Sequence, residues 1–429
     1  MRVAVLGATG LIGSAVVARL RADGHEVLGM ARSVAGAAAS RPDVRWLALD
    51  VARLSAVALA GHLAGMDAVV NCAGLLQDAP GESVRAIHET AAAALAQACL
   101  AAGVKRIVQI SAIGLDSATP TAFSRTKRAG DAALLASGLD VVVLRPAVVV
   151  GRQAYGGSAL FRGLAALPIL PVVPGTGTLD IVQLDDLAET IAYFLRPGAP
   201  AGMVLDLPGP EHLAFADVIR LYRRWLGYRP AREVILPLAM ASVLFRLGDL
   251  AGLFGWRPPM RTTILTEIRR GASGDPATWT RMTGIAPRSL SAALTAEPAG
   301  VQERWFATLY LLKPLVLITL ALFWAVTGIL SLGPALPAGH AILVEAGAGA
   351  LALPLAVAGA LADLAIGMGI ALRKTARMAL GAGLGLSLFY AASATLLAPH
   401  LWADPLGPLV KIVPIAMLHV VALALLRDR

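Results

Sequence analysis

A run of closely spaced glycines, Gly7-Ala8-Thr9-Gly10-Leu11-Ile12-Gly13, separates a short apolar segment from a stretch of helical composition. Glycines at this spacing allow a tight turn, let the backbone approach a pyrophosphate, and let the next helix pack closely on a sheet. The helix N-terminus then offers N–H donors and the positive end of its dipole. Gly7, Thr9, Gly10, Leu11, Ile12 and Gly13 are therefore candidate contacts to a dinucleotide. After the next β-rich run, NAD-binding proteins place an acid on the ribose 2′-hydroxyl. Here the residues are Ala31, Arg32 and Ser33. A cation suits a 2′-phosphate, so NADP(H) is expected over NAD(H). Asp50 and Val51, after the third run, are placed to meet an adenine, and Asn71, Ala73 and Gly74, after the fourth, to line the cofactor.

Such residues need elements to position them. Short β-rich runs occur at residues 2–6, 26–29, 44–49, 68–71, 106–110 and 140–144. Between them lie Ala/Leu/Arg-rich stretches of helical length, such as 13–22 and 84–102. Near-continuous apolar strands alternating with helices predict an α/β fold, a doubly wound parallel sheet covered on both faces. Residues 151–298 are less regular and are expected to form a small substrate lobe over the carboxyl edge of the sheet. They hold a Pro/Gly-rich loop over 168–178, a helix opened and capped by Asp185 and Asp186, and another around 215–226.

Several ordered motifs resemble the atypical or extended short-chain dehydrogenase/reductase superfamily over residues 1–226. They are GATGLIG, His88 at the head of a helix, AGVKRIVQISAIG over 102–114, the Phe123–Lys127 stretch, LRP over 144–146 with Gly151, and VQLDDLA over 182–188. The likeness is nearest the branch containing the NADPH-binding accessory subunit of respiratory complex I. It implies a Rossmann-type fold and a catalytic set of Ser plus Tyr-x-x-x-Lys. In that set Lys lowers the Tyr pKa and holds the nicotinamide ribose, and Tyr protonates the carbonyl as hydride arrives. Ser111 and Lys127 match the Ser and Lys positions; the Tyr position is Phe123, which has no proton to give. Ser111 and Lys127 thus stand as cofactor contacts and as candidate catalytic residues. Tyr155 is a substitute acid or a structural residue, and His88 is read as structural ahead of catalytic.

From residue 310 onward the composition changes. Apolar segments at 315–332, 350–372, 379–397 and 409–426 each approach the roughly 20 residues that cross a bilayer. An all-α transmembrane bundle of about four helices is expected over 299–429, behind a nucleotide-binding domain over 1–298. The stretch WADPLGPLVKIVP, residues 402–414, resembles a DoxX-like domain. Basic residues gather at Arg304 and Lys313, at Arg373, Lys374 and Arg377, and at Arg427 and Arg429. The positive-inside rule then places both termini in the cytoplasm of a multi-pass inner-membrane protein. Asp363, inside the second segment, is costly at that depth and is a functional candidate or the partner of a polar neighbour.

Charged residues are 15 % of the chain, against roughly 25 % in an average soluble protein. The net charge of +9 is scattered, without the dense basic stripe and interleaved aromatics of a nucleic-acid groove, so the bilayer is the expected partner. Two cysteines, Cys72 and Cys99, lack disulfide or metal spacing and fit a reducing compartment. Glycines interrupt the first apolar run, which reads as strand-turn-helix and not as a signal peptide. No His/Cys/carboxylate cluster suggests a metal. Two functions follow. One is an oxidoreductase acting on a quinone, isoprenoid or other lipid. The other is a non-catalytic NADPH-binding structural, assembly or redox-sensing protein with a respiratory or membrane-protein partner.

Overall fold

The computed structural model of the 429-residue chain describes residues 1–116 and 120–426. Arg427 and Arg429, the basic residues after the last apolar segment, lie outside the described residues. The chain forms two compact units, one of Met1–Asp249 with Pro258–Ala307, the other of Leu250–Arg257 with Thr308–Arg429.

In the first unit the strands are β1 (Arg2–Leu6), β2 (Glu26–Ala31), β3 (Arg45–Ala48), β4 (Ala68–Asn71), β5 (Arg106–Ile110), β6 (Asp140–Pro146), β7 (Val148–Val150), β8 (Ile169–Val172), β9 (Leu179–Gln183), β10 (Met203–Leu207), β11 (His212–Leu213) and β12 (Arg232–Ile235). Seven form one parallel sheet in the order β10-β6-β5-β4-β1-β2-β3. The helices that join them lie on both faces, so alternate residues of one strand feed two cores. Val3 and Val5 pack with Val16, Val17 and Leu20 of the Leu11–Ala22 helix. Ala4 and Leu6 pack with Leu59, Leu63, Leu95 and Leu134 on the other side. Double burial is why these strands read as continuous apolar runs. The chain winds outward from β1 in both directions, and the crevice beyond the carboxyl ends of β1 and β4 is the place for a ligand.

The lobe is more ordered than its sequence suggested. The Pro/Gly-rich stretch expected as a loop contains β8, which pairs in parallel with β12. Its prolines do not prevent this, because a two-stranded pair has only edge strands. β9 is flanked by β7 and β11 in a second small sheet. The helix at Asp185 and Asp186 is present, Leu184–Phe194, but no side chain caps it. Asp186 instead accepts from the backbone N–H and Nε of Arg288, both at 2.8 Å. A guanidinium brought back from a distant turn satisfies this buried carboxylate better than its own helix end. Trp279, fully buried, donates to Thr190 Oγ1 of that helix at 2.9 Å.

Among the described residues three helices are long and apolar enough to cross a membrane: Val301–Leu332, most of which belongs to the second unit, and Gly349–Ala371 and Ala376–Leu397 within it. The fourth expected span is shorter. Pro405, Gly407 and Pro408 hold the chain in turns, and the helix runs only over Ile412–Leu425, 14 residues. At 1.5 Å per residue it reaches about 21 Å, short of the roughly 30 Å hydrocarbon core. A further helix, Leu336–Glu345, was not foreseen. Inside the bundle Trp324 donates to His419 Nε2 at 2.9 Å. Asp363, 4 % exposed, accepts from the Tyr390 hydroxyl at 3.3 Å, the polar neighbour on an adjacent helix. A Cβ on Gly367 would stand 2.7 Å from the Ala325 nitrogen, so glycine lets two of these helices touch backbone to backbone.

Candidate functional site

The glycine loop has the form of a phosphate cradle. Gly7 has φ 72°, and a Cβ there would stand 2.9 Å from the backbone of Cys72 and Ala73. A Cβ on Gly13 would collide with the Gly7 carbonyl oxygen, so the helix approaches β1 only because that atom is missing. The Leu11–Ala22 helix starts behind Gly10 with no side-chain cap. Its first N–H groups, beside Thr9, Leu11 and Ile12, are left to an outside acceptor.

The residues expected on the adenosine side are already paired within the protein. Arg32, just beyond β2, forms an ion pair and hydrogen bond with Glu82, fifty residues away in the loop after β4. Asp50 caps the short turn Val51–Arg53, accepting from Ala52 N–H at 3.2 Å, and lies 3.4 Å from Arg53 Nε. Beyond β4, Asn71 is buried, donates to Gln109 Oε1 at 2.8 Å and accepts from Ala73 N–H at 3.2 Å. It thereby fixes the bend that carries Ala73 and Gly74.

Lys127, His88 and Gly74 converge. A Cβ on Gly74 would lie 3.6 Å from His88 Nε2 and 3.7 Å from Lys127 Nζ. Lys127 is buried on the Ala122–Leu135 helix and donates to the Ile110 carbonyl at 2.5 Å. Burial pulls its ammonium below the usual range, with Asp131 and Cys72 opposing. His88 accepts from Leu75 N–H at Nε2, 3.1 Å, and its Nδ1 is 3.0 Å from Thr126 Oγ1. An acceptor at Nε2 puts the proton on Nδ1. Burial, then the Lys127 charge, brings the His88 pKa down to about 3, so the ring is neutral and structural.

Ser111 does not point alone. Its hydroxyl donates to Asp131 Oδ2, a carboxylate buried on the same helix as Lys127 and one turn further on. Burial pushes the Asp131 carboxyl above its ordinary range against the pull of Ser111, Lys127 and Arg145. Arg145 Nε lies 3.9 Å from Asp131, and its Nη1 donates to Asp116 at 3.2 Å. Phe123 occupies the tyrosine position, half-buried, its ring against His88. Next to it Ser124 and Thr121 hydrogen-bond to Glu267 Oε1, at 3.3 and 2.6 Å, and Glu267 is paired with Arg270 at 2.7 Å. Tyr155 sits at the head of the Gly156–Ala165 helix, 46 % exposed. Among the described residues no hydrogen bond joins it to Ser111 or Lys127.

Asp131, Glu82, Glu267 and Arg270 went unrecognised in the sequence. For Asp131 a signal existed, since it stands four residues after Lys127 on one helix face. The others come from loops and lobe segments far along the chain.

Residues 7–163 match the NAD(P)H-binding family model, and residues 321–420 match the DoxX-like family. A ceramide reductase of Caulobacter vibrioides is 27 % identical over 242 residues, 55 % of this chain and 73 % of that protein. A mitochondrial complex I protein of Arabidopsis thaliana, NADH dehydrogenase [ubiquinone] 1 alpha subcomplex subunit 9, is 24 % identical over 144 residues, 33 % of this chain and 36 % of that one. The Bordetella bronchiseptica enzyme WbmG, solved with NAD, superposes with a TM-score of 0.54 at 20 % identity, covering 69 % of this chain and 92 % of its own. The parallel sheet, the glycine cradle and these matches agree: the chain joins an N-terminal NAD(P)H-binding domain of Rossmann type to a C-terminal DoxX-like domain.

Proposed function

We propose that this protein is a membrane-anchored NAD(P)H-dependent reductase of a lipid-soluble carbonyl compound, a quinone, isoprenoid or other lipid. The nucleotide, when bound, supplies hydride. Gly7, Thr9, Gly10, Leu11, Ile12 and Gly13 hold its pyrophosphate, Asp50, Val51, Asn71, Ala73 and Gly74 flank its adenosine and nicotinamide halves, and Arg32 takes a 2′-phosphate, favouring NADP(H). Lys127, fixed through Ile110, faces the nicotinamide ribose.

The observation that carries the reading is the Ser111–Asp131 hydrogen bond, which puts a proton-bearing pair in the site where Phe123 offers none. In turnover the resting direction of this bond reverses: the Ser111 hydroxyl proton goes to the substrate oxygen as the Asp131 carboxyl, which burial pushes above its ordinary range, gives a proton to Ser111 Oγ. The carbonyl becomes an alcohol at the cost of one hydride and one proton, and solvent reprotonates Asp131. Likeness to a ceramide reductase supports a lipid carbonyl, and the apolar helices supply an anchor in the bilayer. The basic loop with Arg373, Lys374 and Arg377 supports an inner-membrane location with cytoplasmic termini.

The test is NADPH oxidation by the whole protein in detergent, with long-chain ketones, ketolipids and quinones. Turnover with one of these, lost in Ser111→Ala while nucleotide still binds, is the expected result. No turnover across the panel, with NADPH retained unoxidised, favours a second reading. In it the protein holds its nucleotide as a structural or redox-sensing ligand beside a respiratory or membrane-protein partner. Phe123 and the likeness to a complex I protein support that alternative.

A further inference from the structure

Arg32 leaves β2 at the edge of the crevice, next to the glycine loop. The Ala8 N–H donates to Met30 O at 3.1 Å, and the Leu49 N–H to Ala31 O at 3.0 Å, so the end of β2 is tied on both sides. A guanidinium in this position meets the ribose 2′ substituent of a bound nucleotide. In this structure it meets Glu82. The arginine side chain is 46 % exposed and the glutamate 11 %, so the carboxylate forms the wall and the guanidinium lies over it. That wall is braced. Ala79 and Glu82 bridge each other through their backbones, Val84 N–H donates to Asp78 Oδ1 at 2.7 Å, and Arg261 donates to the Asp78 carbonyl at 2.8 Å.

We propose that Glu82 is a specificity-determining residue, a carboxylate that neutralises Arg32 and holds down the preference for NADPH over NADH. The proposal rests on the nucleotide-binding reading above. A 2′-phosphate that reaches Arg32 enters the field of a fixed carboxylate of the same sign. Like charges brought together in a partly desolvated site oppose binding. A 2′-hydroxyl carries no charge and donates a hydrogen bond to the same carboxylate, so NADH gains where NADPH loses. Arg32 read alone predicts a strong NADPH preference; Arg32 on Glu82 predicts a weak one.

The experiment is fluorescence titration of the detergent-solubilised full chain with NADPH and NADH, wild type beside Glu82→Gln. The amide keeps the size and removes the charge. Expected are wild-type affinities within about 10-fold of each other, and a Glu82→Gln protein that binds NADPH about 10-fold tighter, about 1.4 kcal/mol, with NADH unchanged or weaker. An NADPH-to-NADH ratio that does not move overturns the proposal while leaving nucleotide binding intact. Binding of neither nucleotide to the wild type overturns both. Should Glu82→Gln fail to fold, Arg32→Gln decides. With the Arg32 charge removed and the Glu82 carboxylate kept, NADH must bind roughly 10-fold tighter than NADPH; equal affinities overturn the proposal.

Discussion

The ring of Phe123 stands edge-on to the imidazole of His88, with 5.5 Å between centroids and 81° between planes. The contact needs no hydroxyl, and Lys127 lies one turn further along the same helix. Phe123→Tyr therefore adds a phenol beside an ammonium without displacing a polar partner. NADPH-dependent carbonyl reduction should rise at least about 10-fold, with NADPH affinity within about twofold of wild type. An unchanged rate in a folded, nucleotide-binding variant would show that position 123 does not face the substrate oxygen.

Ser111 and Asp131 should fail together. Asp131→Asn and Ser111→Ala are each expected to lower kcat by roughly 10²-fold with little change in KM, and the double variant to be little worse than either single one. Full multiplication of the two losses would mean that they act separately.

His88 gives the fold an acid limit. Its folded pKa of about 3 lies below the usual 6.5 because the ring is buried beside Lys127. The unfolded chain takes up this proton first, so the stability tied to neutral His88 is complete above pH 6.5 and is lost as pH falls toward 3. The loss is about 1.4 kcal/mol per pH unit within that window. Denaturant melts at pH 7 and pH 5 should show about 2 kcal/mol more acid sensitivity in the wild type than in His88→Gln. Equal sensitivity would mean that His88 is not buried neutral.

Gly13→Ala tests the cradle. The new methyl strikes the Gly7 carbonyl, so the helix must move off β1. Nucleotide affinity is expected to fall at least about 10-fold and stability by about 1–3 kcal/mol. Gly24→Ala, where a Cβ meets nothing but φ is 82°, should cost stability alone. Equal nucleotide affinity in the two variants would count against phosphate binding by this loop.

Much of this was legible because it is local. β1, β4 and β5 are doubly buried runs of Val, Ile and Ala, and their limits follow from composition alone. β10 escaped notice because it is an edge strand with alternating burial and with Asp206 as its penultimate residue. The glycine loop is marked by its spacing, and Ser111 and Lys127 by the resemblance of the motifs around them. What each residue touches does not. Arg32 finds Glu82 across 50 residues and Asp186 finds Arg288 across 102, and no periodicity records such pairings. Local pattern sets which groups are present; tertiary contact sets their charge and partners.

The chain passes between its two units three times, at residues 249–250, 257–258 and 307–308. Within the second unit the short returning segment is firmly held: Trp256 donates to the Ala371 carbonyl at 2.7 Å, Arg373 lies 5.5 Å over its indole, and Arg373 N–H donates to Phe254 O at 3.0 Å. A single cut at residue 307 would therefore not yield a clean nucleotide-binding-domain fragment. The piece released would carry Leu250–Arg257 stripped of its cover, an apolar tag with an exposed tryptophan that invites aggregation. Dissection of this protein calls for replacing that segment with a polar turn, and the two modules are better viewed as interleaved along the chain than as beads joined by a string.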